Sequence, residues 1–137
     1  MWGFDASLTA LLNLEWSIDA NYSYLGMNEF LNPITNSMDP INAPKHKLGM
    51  KLQYNSRKLP LTGSINTRYV DGFKWSSGIY FGNITPYTLF DIHAGYEINK
   101  FLKANFTITN LLDHRHTEII GGPAIGRTVL LRLQTNF

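Results

Sequence analysis

Between Leu14 and Tyr24 the chain alternates without an error. Leu14, Trp16, Ile18, Ala20, Tyr22 and Tyr24 take the even positions, and Glu15, Ser17, Asp19, Asn21 and Ser23 the odd ones. A helix would mix the two sets around its circumference, whereas a strand sends them to opposite faces. The same period of two recurs at 3–12, 45–54, 61–70, 87–98, 102–110 and 127–137. This predicts an all-β chain of about seven antiparallel strands. Leu130 breaks the pattern in the last of them, where Val129, Leu131, Leu133, Thr135 and Phe137 share the other face. Placing Glu97 opposite Lys103 sets Tyr96 on Ala104, Ala94 on Phe106 and Ile92 on Ile108, so that both faces match.

The connections alternate in length. Those near 13, 55–60 and 98–101 are short, and those at 26–44, 71–86 and 111–126 are long and irregular, with several Gly, Asn and Pro residues. A meander with short turns at one end and long loops at the other is the layout of a transmembrane β-barrel, with periplasmic turns and extracellular loops. The aromatic positions divide the same way. Trp16, Tyr54, Tyr96, Phe101 and Phe137 belong to the short-turn end; Trp2, Tyr22, Tyr24, Tyr69, Phe73, Trp75 and Tyr87 belong to the long-loop end. Two aromatic belts around an aliphatic band suit a bilayer.

Composition agrees where it bears on the question. Charged residues are 16% and aromatic residues 13% of the chain, against about 25% charged in soluble domains. Mean hydropathy is slightly negative, so the apolar residues are dispersed by alternation and form no run of membrane-helix length. A net charge of +2 gives no case for nucleic acid, and the absence of Cys excludes a disulfide framework. Met1-Trp2-Gly3 leads straight into strand-like sequence without an export signal, so the chain is expected to be a fragment.

Residues 110–127 read NLLDHRHTEIIGGPAIGR. Asn110, Leu111, Leu112 and Asp113, then Gly121, Pro123, Gly126 and Arg127, then the terminal Phe137, resemble the end of the TonB-dependent outer-membrane receptors in that order. Asn42-Ala43-Pro44-Lys45-His46 similarly resembles the start of a barrel strand in that family. The resemblance implies that residues 1–137 are the carboxy-terminal part of a barrel of about 22 strands with a plugged lumen, in the outer membrane of a Gram-negative bacterium. The plug domain would lie upstream of Met1. Such a receptor takes up a scarce nutrient, such as an iron–siderophore, cobalamin or an oligosaccharide, and is driven by the TonB complex through its plug. The resemblance also makes Phe137, Leu133, Leu131 and Val129 the signal read by the barrel assembly machinery, and makes outer-membrane lipid the partner of the apolar face. Two other readings are a small self-contained outer-membrane barrel, with or without hydrolase activity, and a soluble β-barrel that binds an apolar ligand.

The candidate ligand contacts lie in the long loops: His114, Arg115, His116, Glu118, Trp75 and Tyr80. His114, His116 and Glu118 would share one face of an extended segment. They are read as contacts at the receptor mouth, with no metal site or cofactor assigned. Gly121-Gly122-Pro123 lacks the strand–loop–helix setting of a phosphate cradle and is read as turn chemistry. Inward charges of both signs, among them Asp19, Lys51, Glu97 and Lys103, are read as a hydrated lumen wall. No catalytic set is visible, and an enzyme is not expected.

Overall fold

The computed structural model describes residues 2–135. In chain order the strands are β1 (Gly3–Leu11), β2 (Trp16–Leu25), β3 (Glu29–Asn32), β4 (Ser37–Pro40), β5 (His46–Asn55), β6 (Leu61–Val70), β7 (Phe73–Ser77), β8 (Tyr80–Ile84), β9 (Tyr87–Asn99), β10 (Leu102–Thr109) and β11 (Thr128–Thr135). Seven of them form one antiparallel sheet in the order β1-β2-β5-β6-β9-β10-β11. The remaining four make two small hairpins, β3–β4 and β7–β8. The sheet is open, with β1 and β11 at its edges.

Register follows the alternation. Ala10, Ile18, Leu52, Ile65, Ile92, Ile108 and Val129 are successive direct partners across all seven strands. This apolar ladder lies on one face of the sheet, and residues around it stay exposed: Leu8 at 64%, Met50 at 48% and Leu131 at 63%. Large side chains left this bare by their own chain need an apolar solvent. The opposite face is polar. There Asp19 faces Lys51, His93 faces Ser64 and Thr107, and Lys103 pairs with Glu97 at 3.3 Å, the pairing expected from the alternation. Lys51, Asn66, His93, Asn105 and their neighbours line a shallow depression of about 430 Å³ on this face.

Three expectations are corrected. First, the strand after the first turn starts at Trp16 rather than Leu14. Asn13 Oδ1 accepts the amides of Glu15 and Trp16 at 2.8 and 2.9 Å, and this side-chain turn holds Leu14 out of the ladder. Second, the segments 26–44 and 71–86 are not wholly irregular, because each contains a hairpin. Their strands are four or five residues long, too short for periodicity to register. Third, Tyr87, Phe73 and Trp75 do not join the outer aromatic belt. Tyr87 stands opposite Val70 on the lumen side. With Val70, Ile84 and Leu89 it makes the buried apolar cluster of the described residues, against which Phe73, Trp75 and Ile120 pack. Phe137, named for the short-turn belt and the assembly signal, lies outside the described residues.

Candidate functional site

The long-loop end is built around Asn110. A left-handed turn there (φ 54°) ends β10, a conformation that Asn tolerates better than most residues. Its amide nitrogen donates to Asp91 Oδ1 at 2.8 Å. Its side chain donates to the His114 carbonyl and accepts the His114 amide, both at 2.9 Å. Asp113 is also left-handed (φ 53°) and accepts the Arg127 amide at 2.8 Å. The NLLD run therefore shapes the last loop at both ends, since its Asn starts the loop and its Asp closes it against the first residue of the returning chain. Between these ends His116 and Ile125 form an isolated antiparallel bridge.

This folding decides where the candidate residues go. Held by Asn110, residues 111–118 are not the extended segment that the His-x-His-x-Glu spacing suggests. His114 is exposed and lines a notch with Tyr69, Tyr87, Thr88, Phe90 and Leu112. The His116 ring, by contrast, is buried, its side chain 1% exposed. It lies on the Tyr87 ring with centroids 4.4 Å apart. Its Nδ1 is 3.0 Å from the His114 carbonyl oxygen and its Nε2 3.3 Å from Glu118 Oε1. The Tyr87 hydroxyl reaches the same carboxylate oxygen at 3.4 Å. Arg115 is exposed and makes no ion pair among the described residues. No group of three or more His, Cys, Asp or Glu converges on a metal position among the described residues.

Trp75 and Tyr80 are brought together by the β7–β8 hairpin and meet the tip of the last loop. With Ser77, Ile119, Ile120, Gly121 and Gly122 they line a groove of about 310 Å³. Gly121 is obligatory at this contact. Its φ is +87°, and a Cβ there would sit 2.6 Å from the Tyr80 ring. The groove has no charged wall, so it suits a flat, uncharged part of a ligand. The hairpins are also tied to each other. Asn42 donates to the Ser76 carbonyl at 2.9 Å and accepts the Ser76 amide at 2.8 Å, while Lys74 and Glu29 form an ion pair of 2.8 Å. From the sequence Tyr87 reads only as an aromatic-belt residue and Asn42 only as the start of a strand-entry motif, not as contacts that hold the loops. The signal for Tyr87 was present: Val70, Tyr87 and Leu89 are apolar at lumen-face positions, which marks where loops fold inward.

An open antiparallel sheet, apolar outside and polar inside, with loops folded over one end of its inner face, is the wall of a large barrel. The model of the family "TonB dependent receptor-like, beta-barrel" matches residues 1–111. The chain belongs to the TonB-dependent receptor β-barrel family. Its sheet is a segment of an outer-membrane barrel wall. No curated protein matches the sequence. Among solved structures, the copper transporter OprC aligns with a TM-score of 0.78 at 17% identity over 98% of this chain and 23% of its own. The ferric-catecholate import receptor Fiu of E. coli gives 0.74 at 20% over 98% and 20%. The siderophore receptor PiuA of Acinetobacter baumannii gives 0.71 at 21% over 97% and 21%. These likenesses concern the fold. The chain spans about a fifth of the length of each of these proteins.

Proposed function

We propose that this chain is the carboxy-terminal wall of a TonB-dependent uptake receptor, with its long loops forming part of the extracellular mouth. The observation that carries this is the inward folding of the β7–β8 hairpin and the last loop onto Val70, Tyr87 and Leu89. It supports a pre-formed ligand rim rather than free loops. The seven strands alternate in direction, so β1 and β11 run the same way. Parallel edges do not fit one antiparallel ladder. A barrel of about 22 strands would set the remaining strands between these edges. A self-contained barrel of seven strands meets the further objection that bacterial single-chain barrels are even-numbered. A soluble barrel would turn the apolar face inward.

In the complete receptor the polar face would meet a plug domain, and TonB would act through that plug. The barrel assembly machinery would read β11, and lipid would cover the apolar ladder. The substrate would be a scarce nutrient. A metal chelate is favoured over cobalamin or an oligosaccharide, since OprC, Fiu and PiuA are described as copper, ferric-catecholate and siderophore proteins. The role is binding and passage, not catalysis. Trp75 and Tyr80 are the proposed ligand contacts, supported by the groove they line; His116 and Glu118 stand behind them and hold the loop. His114 and Arg115 are assigned to the outer rim.

The test is uptake by cells with and without the full-length receptor, using ferric chelates, cobalamin and an oligosaccharide as probes. Loss of one class only, reproduced by a protonophore, is the expected result. Unchanged uptake of every class would overturn the reading.

A further inference from the structure

Two short turns meet at the end of the sheet opposite the long loops. The β1–β2 turn carries Asn13, Leu14 and Glu15, and the β5–β6 turn carries Arg57 and Lys58. Glu15 joins them. Its carbonyl accepts the Asn55 amide at 2.8 Å, and its Oε1 accepts the Arg57 amide at 3.0 Å. Ser56 Oγ accepts the amides of Lys58 and Leu59 at 3.3 and 3.0 Å, so the second turn is also held from within. Asn13, Leu14, Glu15, Trp16, Arg57 and Lys58 line a cleft of about 580 Å³ shared by the two turns. That volume falls in the range of small-molecule sites, about 300–1,000 Å³.

The cleft has an apolar part and a charged part. Trp16 is the direct partner of Tyr54, with ring centroids 4.8 Å apart. Each lies two positions beyond the apolar ladder, Trp16 from Ile18 and Tyr54 from Leu52. They therefore mark the short-turn edge of the lipid-facing surface, the level at which aromatic rings meet headgroups. Leu14, held out of the ladder by the Asn13 turn, is 79% exposed. Arg57 and Lys58 are exposed as well. Neither they nor Glu15 take part in an ion pair among the described residues. Two cations and one carboxylate thus stand beside an apolar edge without charged partners among the described residues.

We propose that this cleft holds the headgroup of a phosphatidylethanolamine-type lipid. The short turns of an outer-membrane wall face the periplasm, so the lipid that reaches this end belongs to the periplasmic leaflet. Its phosphodiester meets Arg57 and Lys58, one a planar fork and the other a point charge. Its primary ammonium has three N–H donors and meets the Glu15 carboxylate. Its chains pass Leu14 and Trp16 onto the apolar face. Glu15 decides between lipids. Arg57 and Lys58 alone would draw in any anionic surface. The carboxylate weakens that attraction for a headgroup without a cation, and a quaternary ammonium has no N–H to give it. The proposal rests on the chain being an outer-membrane wall and not on its uptake role.

The experiment is native mass spectrometry of the full-length receptor in detergent, incubated with one defined lipid at a time. The lipids are phosphatidylethanolamine, phosphatidylglycerol and phosphatidylcholine with identical acyl chains. Phosphatidylethanolamine should be retained best, about three- to tenfold over the other two, the factor that one hydrogen bond is worth. Glu15→Gln keeps an oxygen for the Arg57 amide but removes the charge, and should erase that preference. Arg57→Ala should lower retention of phosphatidylethanolamine by a similar factor. Lys100→Ala removes a cation from the β9–β10 turn at the same end and should leave retention unchanged. A wild type that does not retain phosphatidylethanolamine best overturns the proposal. So does a preference that survives in Glu15→Gln, or an equal loss from Arg57→Ala and Lys100→Ala. Glycerophosphoethanolamine, the headgroup without chains, should not displace the lipid at equal concentration; displacement would make the cleft a site for a soluble phosphate compound and overturn the lipid assignment. If a variant does not fold, the wild-type order of the three lipids decides the matter. No nutrient enters the measurement, so a receptor that imports none of the uptake probes still tests the cleft.

Discussion

Asp113 and Arg127 stand 14 positions apart and are joined by one hydrogen bond, from the Arg127 amide to Asp113 Oδ1 at 2.8 Å. This contact closes the last loop at the point where β11 begins. Asp113 also occupies left-handed backbone. Asp113→Ala removes the acceptor and adds backbone strain, each about 1–2 kcal/mol. Asp113→Asn should lose much less. Limited proteolysis of the full-length receptor should cut within 111–127 several-fold faster in Asp113→Ala and near the wild-type rate in Asp113→Asn.

Asn110 bears more contacts than Asp113 and should be less tolerant. Its side chain grips both backbone groups of His114. Asn110→Gly keeps the left-handed turn but loses those bonds, and Asn110→Ala loses both. Loop protection in hydrogen exchange should fall in the order wild type, Gly, Ala. Equal values for Gly and Ala would mean that the turn conformation contributes little.

The two faces of β11 should respond oppositely to charge. Leu131→Arg puts a guanidinium on the apolar face, at a cost of about 2–4 kcal/mol near the bilayer midplane. Gln134→Arg places it on the polar face beside Lys103 and should be mild. The amount of heat-modifiable receptor in the outer membrane reads the difference. Deleting Phe137 should lower that amount while leaving ligand affinity in the surviving receptor near normal.

The groove residues should act on binding and not on assembly. Tyr80→Ala removes one aromatic wall, worth about 0.5–1.5 kcal/mol as a ring contact, or roughly a two- to tenfold loss of affinity. Tyr80→Phe should bind as the wild type does. Receptor levels should be equal in all three, as immunoblots of outer-membrane fractions can check.

Topology can be read on intact cells. A tag between Asn36 and Ser37, at the tip of β3–β4, should be stained without permeabilisation. A tag at Arg57-Lys58 should need it, because that turn belongs to the opposite end, where the Arg57 amide donates to Glu15 Oε1.

The period of two settled most of the wall by itself. Leu61–Val70 begins and ends where the alternation does, and the Glu97–Lys103 pairing follows from matching two faces. That legibility has a physical source. In a barrel wall each residue answers to only two surroundings, lipid or lumen, and successive residues must alternate between them. The NLLD run was legible as a resemblance, but its work in starting and closing a loop was not. The loop end escaped the pattern because loops answer to neighbours that are distant in sequence. Asn42 binds Ser76 34 positions away, and Tyr87 meets Glu118 31 positions away. Sequence spacing placed His114 and His116 on one face, yet in the loop that starts at the left-handed turn of Asn110 the first is exposed and the second buried. Local propensity and periodicity act along the chain and fixed the strands; burial of a small apolar cluster acts across it and decided the site.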